Sequence, residues 1–125
     1  MANHESLPVY KTLYNALEAI YVNTSGLSYE IQFSLAERIK TGVVDVMFSI
    51  YKANLEQDNR VMYILDARDK MVNVTLRWKL LYDLEYINVD VYNAINDKFT
   101  SAIKQLISWQ SYSQFIDEKQ NVNVK

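Results

Sequence analysis

The stretch Val61–Leu84, VMYILDARDKMVNVTLRWKLLYDL, decides the fold. Ile64, Ala67, Met71, Val74, Trp78, Leu81 and Leu84 recur in it at spacings of three and four. At about 3.6 residues per turn they fall on one long stripe of an α-helix. Val61, Leu65, Val72, Leu76 and Leu80 widen the apolar side. Only a narrow strip carrying Asp66, Asp69, Lys70, Asn73 and Arg77 is left for water. A helix this apolar needs neighbours on more than one side. Other helices of the chain supply some of them, and a second copy of the chain is a candidate for the rest.

Three further segments have the same period. Tyr10, Leu13, Leu17 and Ile20 define a first helix over 8–23, with Ser6 as candidate N-cap and Pro8 in the first turn, where a missing N–H costs nothing. Gly26 is expected to close it in the left-handed conformation. Ile31, Leu35, Ile39, Gly42, Val46, Ser49 and Ala53 form a stripe over 29–54, with Ala36, Val43, Met47 and Ile50 beside it and Ser28 as cap. Gly42 in mid-helix costs about 1 kcal/mol relative to Ala, which predicts close approach of a neighbouring helix. After a polar break the third helix runs over 58–86. Asn88 then caps a fourth over 89–114, whose inner stripe is Tyr92, Ile95, Phe99, Ala102, Leu106 and Trp109. Residues Met1 to Glu5 read as a loose leader and 117–125 as a frayed polar tail. The connections are short, so the expected fold is all-α: a single domain over 1–125, an antiparallel up-down-up-down four-helix bundle.

Composition agrees. Two glycines and one proline in 125 residues are too few for the turns of a sandwich or barrel. No run approaches the roughly 20 apolar residues of a membrane span. There is no cysteine, so disulfides and thiolate chemistry are absent, and a cytoplasmic location fits. His4 is the only histidine and lies in the leader, so neither a catalytic triad nor a histidine-bearing metal site is expected. The carboxylates of Glu37, Asp45, Asp66 and Asp69 read as solvated helix surface. No glycine-rich phosphate loop occurs. The chain is read as a non-enzyme, with no catalytic, cofactor or metal site.

The formal net charge is −2, but it is unevenly spread. Between Arg38 and Lys79 eight bases (Arg38, Lys40, Lys52, Arg60, Arg68, Lys70, Arg77 and Lys79) face five acids. This is either a solvated mixed-charge face or a local basic patch able to contact phosphate. Ten tyrosines and two tryptophans exceed what one small core needs. Tyr14, Tyr21, Tyr51, Tyr63 and Tyr82 fall on or beside helix edges, either lining the bundle's rim or making subunit contacts.

Four motifs carry a family resemblance: Leu7-Pro8-Val9-Tyr10-Lys11, Leu35-Ala36-Glu37-Arg38-Ile39-Lys40, Ile50-Tyr51-Lys52-Ala53-Asn54 and Gln105-Leu106-Ile107-Ser108-Trp109. In this order and spacing the chain resembles the four-helix-bundle family that includes the accessory variability determinants of diversity-generating retroelements. The resemblance implies a homopentamer that partners the element's reverse transcriptase, contacts template RNA or an RNA/DNA hybrid, and supports mutagenic copying. It implies nucleic-acid or polymerase contact at Arg38, Lys40 and Lys52, and less directly at Arg68, Arg77 and Lys79. A sister branch, encoded in intervening sequences of bacterial ribosomal RNA genes, shares the fold, and the alternative is such a bundle acting as an oligomeric module without nucleic acid. That branch's Ser-, Pro- and Gly-rich signature after helix two is absent here. The departure from the first branch is charge: a well-studied type is strongly basic, whereas this chain has a pI near 5.3.

Overall fold

A computed structural model describes residues 3–123; Met1, Ala2, Val124 and Lys125 lie outside the described residues. Four long helices follow one another: α1 (Pro8–Thr24), α2 (residues 29–55), α3 (Arg60–Asp83) and α4 (Val89–Asn123). Each packs on two neighbours, α1 on α2 and α4, α3 on α2 and α4, which is the expected all-α up-down-up-down bundle. The core is the inner stripe of each helix: Leu13, Ala16 and Ile20 from α1, Ile39, Val43, Val46 and Ile50 from α2, Ile64, Ala67, Met71, Val74, Trp78 and Leu81 from α3, and Ile95, Phe99, Ala102 and Leu106 from α4. Trp78 is its largest member. Its ring meets Phe99 edge-on at 6.3 Å, and its Nε1–H donates to the Tyr92 carbonyl at 3.2 Å.

Several helix ends differ from the sequence reading. His4–Ser6 form a 3₁₀ turn rather than a loose leader, and His4 is half-buried between the rings of Tyr10 (5.1 Å) and Tyr51 (4.8 Å). Leu7, not Ser6, holds the N-cap position of α1; the Ser6 hydroxyl donates to the Asn3 carbonyl instead. Ser28 precedes α2 without a side-chain capping bond, whereas Asn88 does cap α4, its Oδ1 accepting from Val91 N–H at 2.9 Å. Gly26 is not left-handed. The chain leaves α1 through Leu27 N–H on the Thr24 carbonyl, to which the Gln32 side chain also donates. Within α2 a π turn, Gln32–Ala36, interrupts the regular spacing before the helix resumes at Glu37–Leu55. The α2 C-terminus is closed by a residue from the next helix: the Arg60 guanidinium donates to the Ala53 (2.7 Å) and Asn54 (3.2 Å) carbonyls.

Of the expected tail, residues 117–123 are helix, and Val124 and Lys125 lie outside the described residues. α4 continues without a break to Asn123, because no glycine or proline interrupts it and Ser113 still buries against the bundle end. α3, by contrast, stops at Asp83 rather than 86. Glu85 adopts φ 68°, and Tyr86 N–H bonds back to the Leu81 carbonyl, a six-to-one closure that normally uses glycine. A left-handed L-residue costs about 1 kcal/mol. Glu85→Gly is therefore expected to raise the melting temperature by a few degrees in a thermal scan, and Glu85→Val to lower it.

Gly42 does mark a close approach. A Cβ built there would lie 2.8 Å from Cγ2 of buried Val74 on α3. Val74 is β-branched and enclosed, so it has no free rotamer to retreat into. Overpacking of this kind costs about 1–3 kcal/mol and outweighs the roughly 1 kcal/mol of helix propensity that alanine adds. Gly42→Ala should lower stability in a urea melt. Combined with Val74→Ala it should cost less than the two single losses added, because the second change removes the clash.

Candidate functional site

The outer face of α3 is the feature that the bundle does not use. Each core residue of α3 has a counterpart two positions earlier, about 200° round the helix, so that counterpart points directly away from the core. Met62, Leu65, Val72 and Leu76 stand in this relation to Ile64, Ala67, Val74 and Trp78, and Leu80 lies beside them. All five are exposed, Val72 at 65% and Leu76 at 64%. Leu84, expected on the inner stripe, is exposed as well, because the helix has already ended. The width that the periodicity implies for this helix is thus real, but α2 and α4 cover only its inner half. Single exposed aliphatics need no explanation, whereas an aligned ridge of them is a candidate interaction surface.

A second apolar surface lies between α1 and α2. A groove of about 450 Å³ is lined by Tyr10, Tyr14 and Leu17 on one side and Val44, Met47, Phe48 and Tyr51 on the other, with His4 at its end. It is aromatic where the α3 ridge is aliphatic. Tyr14, Tyr21 and Tyr51, three of the tyrosines proposed from sequence as subunit contacts, are exposed on this side of the molecule. The other two are half-buried: Tyr82 stacks on Tyr92 at 4.4 Å between α3 and α4, and Tyr63 lies under the Lys52 ammonium.

The six basic candidates do not form one patch. Lys40 is buried to 7% exposure, with its ammonium 4.3 Å from the Tyr21 ring centre, so it seals α2 against α1. Lys52 lies over Phe48 at 4.7 Å, half-buried. Arg68 donates to the Gln110 side chain of α4. Lys79 pairs with Asp83 at 3.0 Å, one turn along its own helix. Arg38 is exposed and Arg77 half-buried; among the described residues neither makes an ion pair or hydrogen bond.

Between α2 and α3 runs a polar seam that sequence periodicity did not reveal. Ser49, counted in an apolar stripe, is buried; its hydroxyl donates to Asp66 Oδ2 at 2.7 Å and accepts from the Lys70 ammonium at 2.9 Å. Lys70 also pairs with Asp66 at 2.7 Å. The hydrogen bonds from Lys70 and Ser49 hold the Asp66 carboxyl below the usual carboxylate range. Pair and hydroxyl satisfy one another, which is what a buried polar group between two helices requires. The only legible hint was a serine at a stripe position. Among the described residues no group of histidine and acidic side chains is arranged to hold a metal ion, and no helix is long and apolar enough to cross a membrane.

No protein-family model matches the chain, and no curated protein does. A solved structure from Bacteroides thetaiotaomicron, described as a protein of unknown function from the S23 ribosomal protein family, superposes with a TM-score of 0.72. The match covers 82% of this chain and 95% of that one, at 20% identity. At that identity the likeness establishes the shared helical fold and nothing further.

Proposed function

We propose that this chain is a homo-oligomeric accessory subunit without catalytic chemistry of its own, which binds a reverse transcriptase and its template RNA. The observation that carries the assembly part is the aliphatic ridge on the outer face of α3, together with the aromatic groove between α1 and α2. Ridge and groove lie on different helices, so the natural contact is heterologous: the ridge of one copy seats in the groove of the next. Such contacts propagate head to tail and close into a ring when the rotation allows. A closed ring of about five copies is the form that the resemblance to retroelement accessory proteins implies. The retroelement role itself rests on the four sequence motifs and their spacing. The fold likeness to an S23-family protein of unknown function is compatible with it but does not select it.

A second reading is an oligomeric structural or interaction module that does not bind nucleic acid. The net charge of −2 favours it, since the chain as a whole has no attraction for polyanions. Co-expression separates the two. If a reverse-transcriptase gene and a repeat pair lie beside this gene, the polymerase should co-purify with this chain, and the complex should retain template RNA at low salt. Recovery of the oligomer alone, with neither polymerase nor RNA, would leave the second reading standing.

A further inference from the structure

We propose that Arg38 and Arg77 together form a clamp for one phosphodiester of an RNA backbone, at the end of the α2–α3 seam. The proposal rests on the nucleic-acid part of the function proposed above and assigns it to two residues.

The register of the two helices places them together. α2 and α3 are antiparallel, and Gly42 of one faces Val74 of the other. One turn back along α2 from Gly42 is Arg38, and one turn on along α3 from Val74 are Arg77 and the core residue Trp78. The two arginines are therefore at the same level. They also share a side. Arg38, Asp45 and Lys52 recur every seven residues on α2, and Lys52 lies over Tyr63 of α3 and acts on Asp66, so that stripe is turned towards α3. Asp66, Lys70 and Arg77 recur at four and seven residues on α3, and the first two bond Ser49 of α2, so that stripe is turned towards α2.

Along this seam charge is balanced at one end and unbalanced at the other. Asp66 and Lys70 neutralise each other, and Lys52 is held over aromatic rings near Asp66. At the Arg38–Arg77 level no acid answers: Glu37, the acid next to Arg38 in sequence, pairs with neither arginine. The other cations of α2 and α3 are used inside the chain: Lys40 on a ring, Arg60 on carbonyls, Arg68 on an amide and Lys79 on a carboxylate. A chain with more acids than bases has nevertheless left two arginines at one level of the seam, neither paired with a carboxylate. Like charges in register repel, so the pair adds nothing to stability unless an anion lies between them. Arginine is the side chain suited to that anion, because its planar fork donates two parallel N–H bonds to phosphate oxygens. Such contacts position a backbone without reading its sequence.

The test is fluorescence anisotropy of a labelled single-stranded RNA oligonucleotide against the full chain, with Arg38→Gln, Arg77→Gln and the double variant. Lys98→Gln/Lys104→Gln on α4 removes the same charge elsewhere and serves as control. Each single change should weaken binding about tenfold or more. The double change should flatten the dependence of log affinity on log salt by about one unit, and the control should do neither. Melting temperatures should not fall, since relief of repulsion does not destabilise. If the control weakens RNA binding as much as the double variant, or the double variant binds like wild type, the clamp is wrong while nucleic-acid binding stands. If the melting temperature falls in step with binding, the arginines are structural. If wild type binds no RNA at low salt, both the clamp and the nucleic-acid reading fail.

Discussion

Val72→Glu combined with Leu76→Glu should convert the protein to a monomer of 14.6 kDa while leaving its helical circular-dichroism spectrum intact. Both side chains lie about two-thirds exposed on the isolated bundle, so within one chain the change moves carboxylates into water and costs within about 0.5 kcal/mol. Glutamate is also a better helix former than valine. At an interface the same change forces two unpaired carboxylates against apolar and aromatic groups, each at a cost of several kcal/mol. That is enough to abolish assembly at micromolar concentrations. Size exclusion with light scattering reads the result. An unchanged mass would remove the α3 ridge from the interface, and a loss of helicity would mean that the ridge supports the fold of the single chain.

The opposite face of the same helix should behave in the opposite way. Trp78→Ala is expected to lose about 3–5 kcal/mol, a large part of the roughly 5–15 kcal/mol that holds a domain of this size folded. Trp78 is fully enclosed, stands edge-on to Phe99 and lies parallel to Tyr92 at 6.3 Å, so truncation opens a cavity between α3 and α4. Its Nε1–H bond to the Tyr92 carbonyl is lost as well. In a thermal scan the midpoint should fall by on the order of 10–20 °C. Trp78→Phe keeps most of the volume and should fall by a fraction of that. A Trp78→Ala midpoint within a few degrees of wild type would mean that the bundle is not packed around this residue.

The contrast between these two faces explains what the sequence could and could not disclose. Periodicity located the inner stripe of every helix, because burial of one face is a local property of spacing at three and four. It also registered that α3 is apolar well beyond one stripe. It could not say that Leu65, Val72, Leu76 and Leu80 stay outside the bundle, since that depends on which sides of α3 the neighbouring helices occupy. Helix ends were less legible for a related reason. Asn88 caps α4 through its own local geometry and was readable. The cap of α2 comes from Arg60 after a chain reversal, and the closure of α3 uses Glu85 where glycine is usual. Gly42 is legible because a mid-helix glycine has few uses besides close packing. Gly26 misleads because the chain turns there without a positive φ.

The basic residues show the same limit. A count along the chain gives a surplus of cations between Arg38 and Lys79, and a surplus looks like a patch. In three dimensions Lys40 is buried against Tyr21, and Arg68 and Lys79 are held by partners within the chain. Charge density in sequence and available charge at a surface are different quantities. Arg38 and Arg77 belong to the second, and they lie 39 positions apart, so only the antiparallel register of α2 and α3 relates them.

The mass of the wild-type chain in solution tests the assembly most directly. Light scattering after size exclusion, at tens of micromolar and moderate salt, should give about five times 14.6 kDa, with the α3 ridge and the α1–α2 groove covered by neighbouring copies. A homogeneous species of 14.6 kDa under those conditions would mean that both apolar surfaces stay in water, and would contradict the proposed assembly.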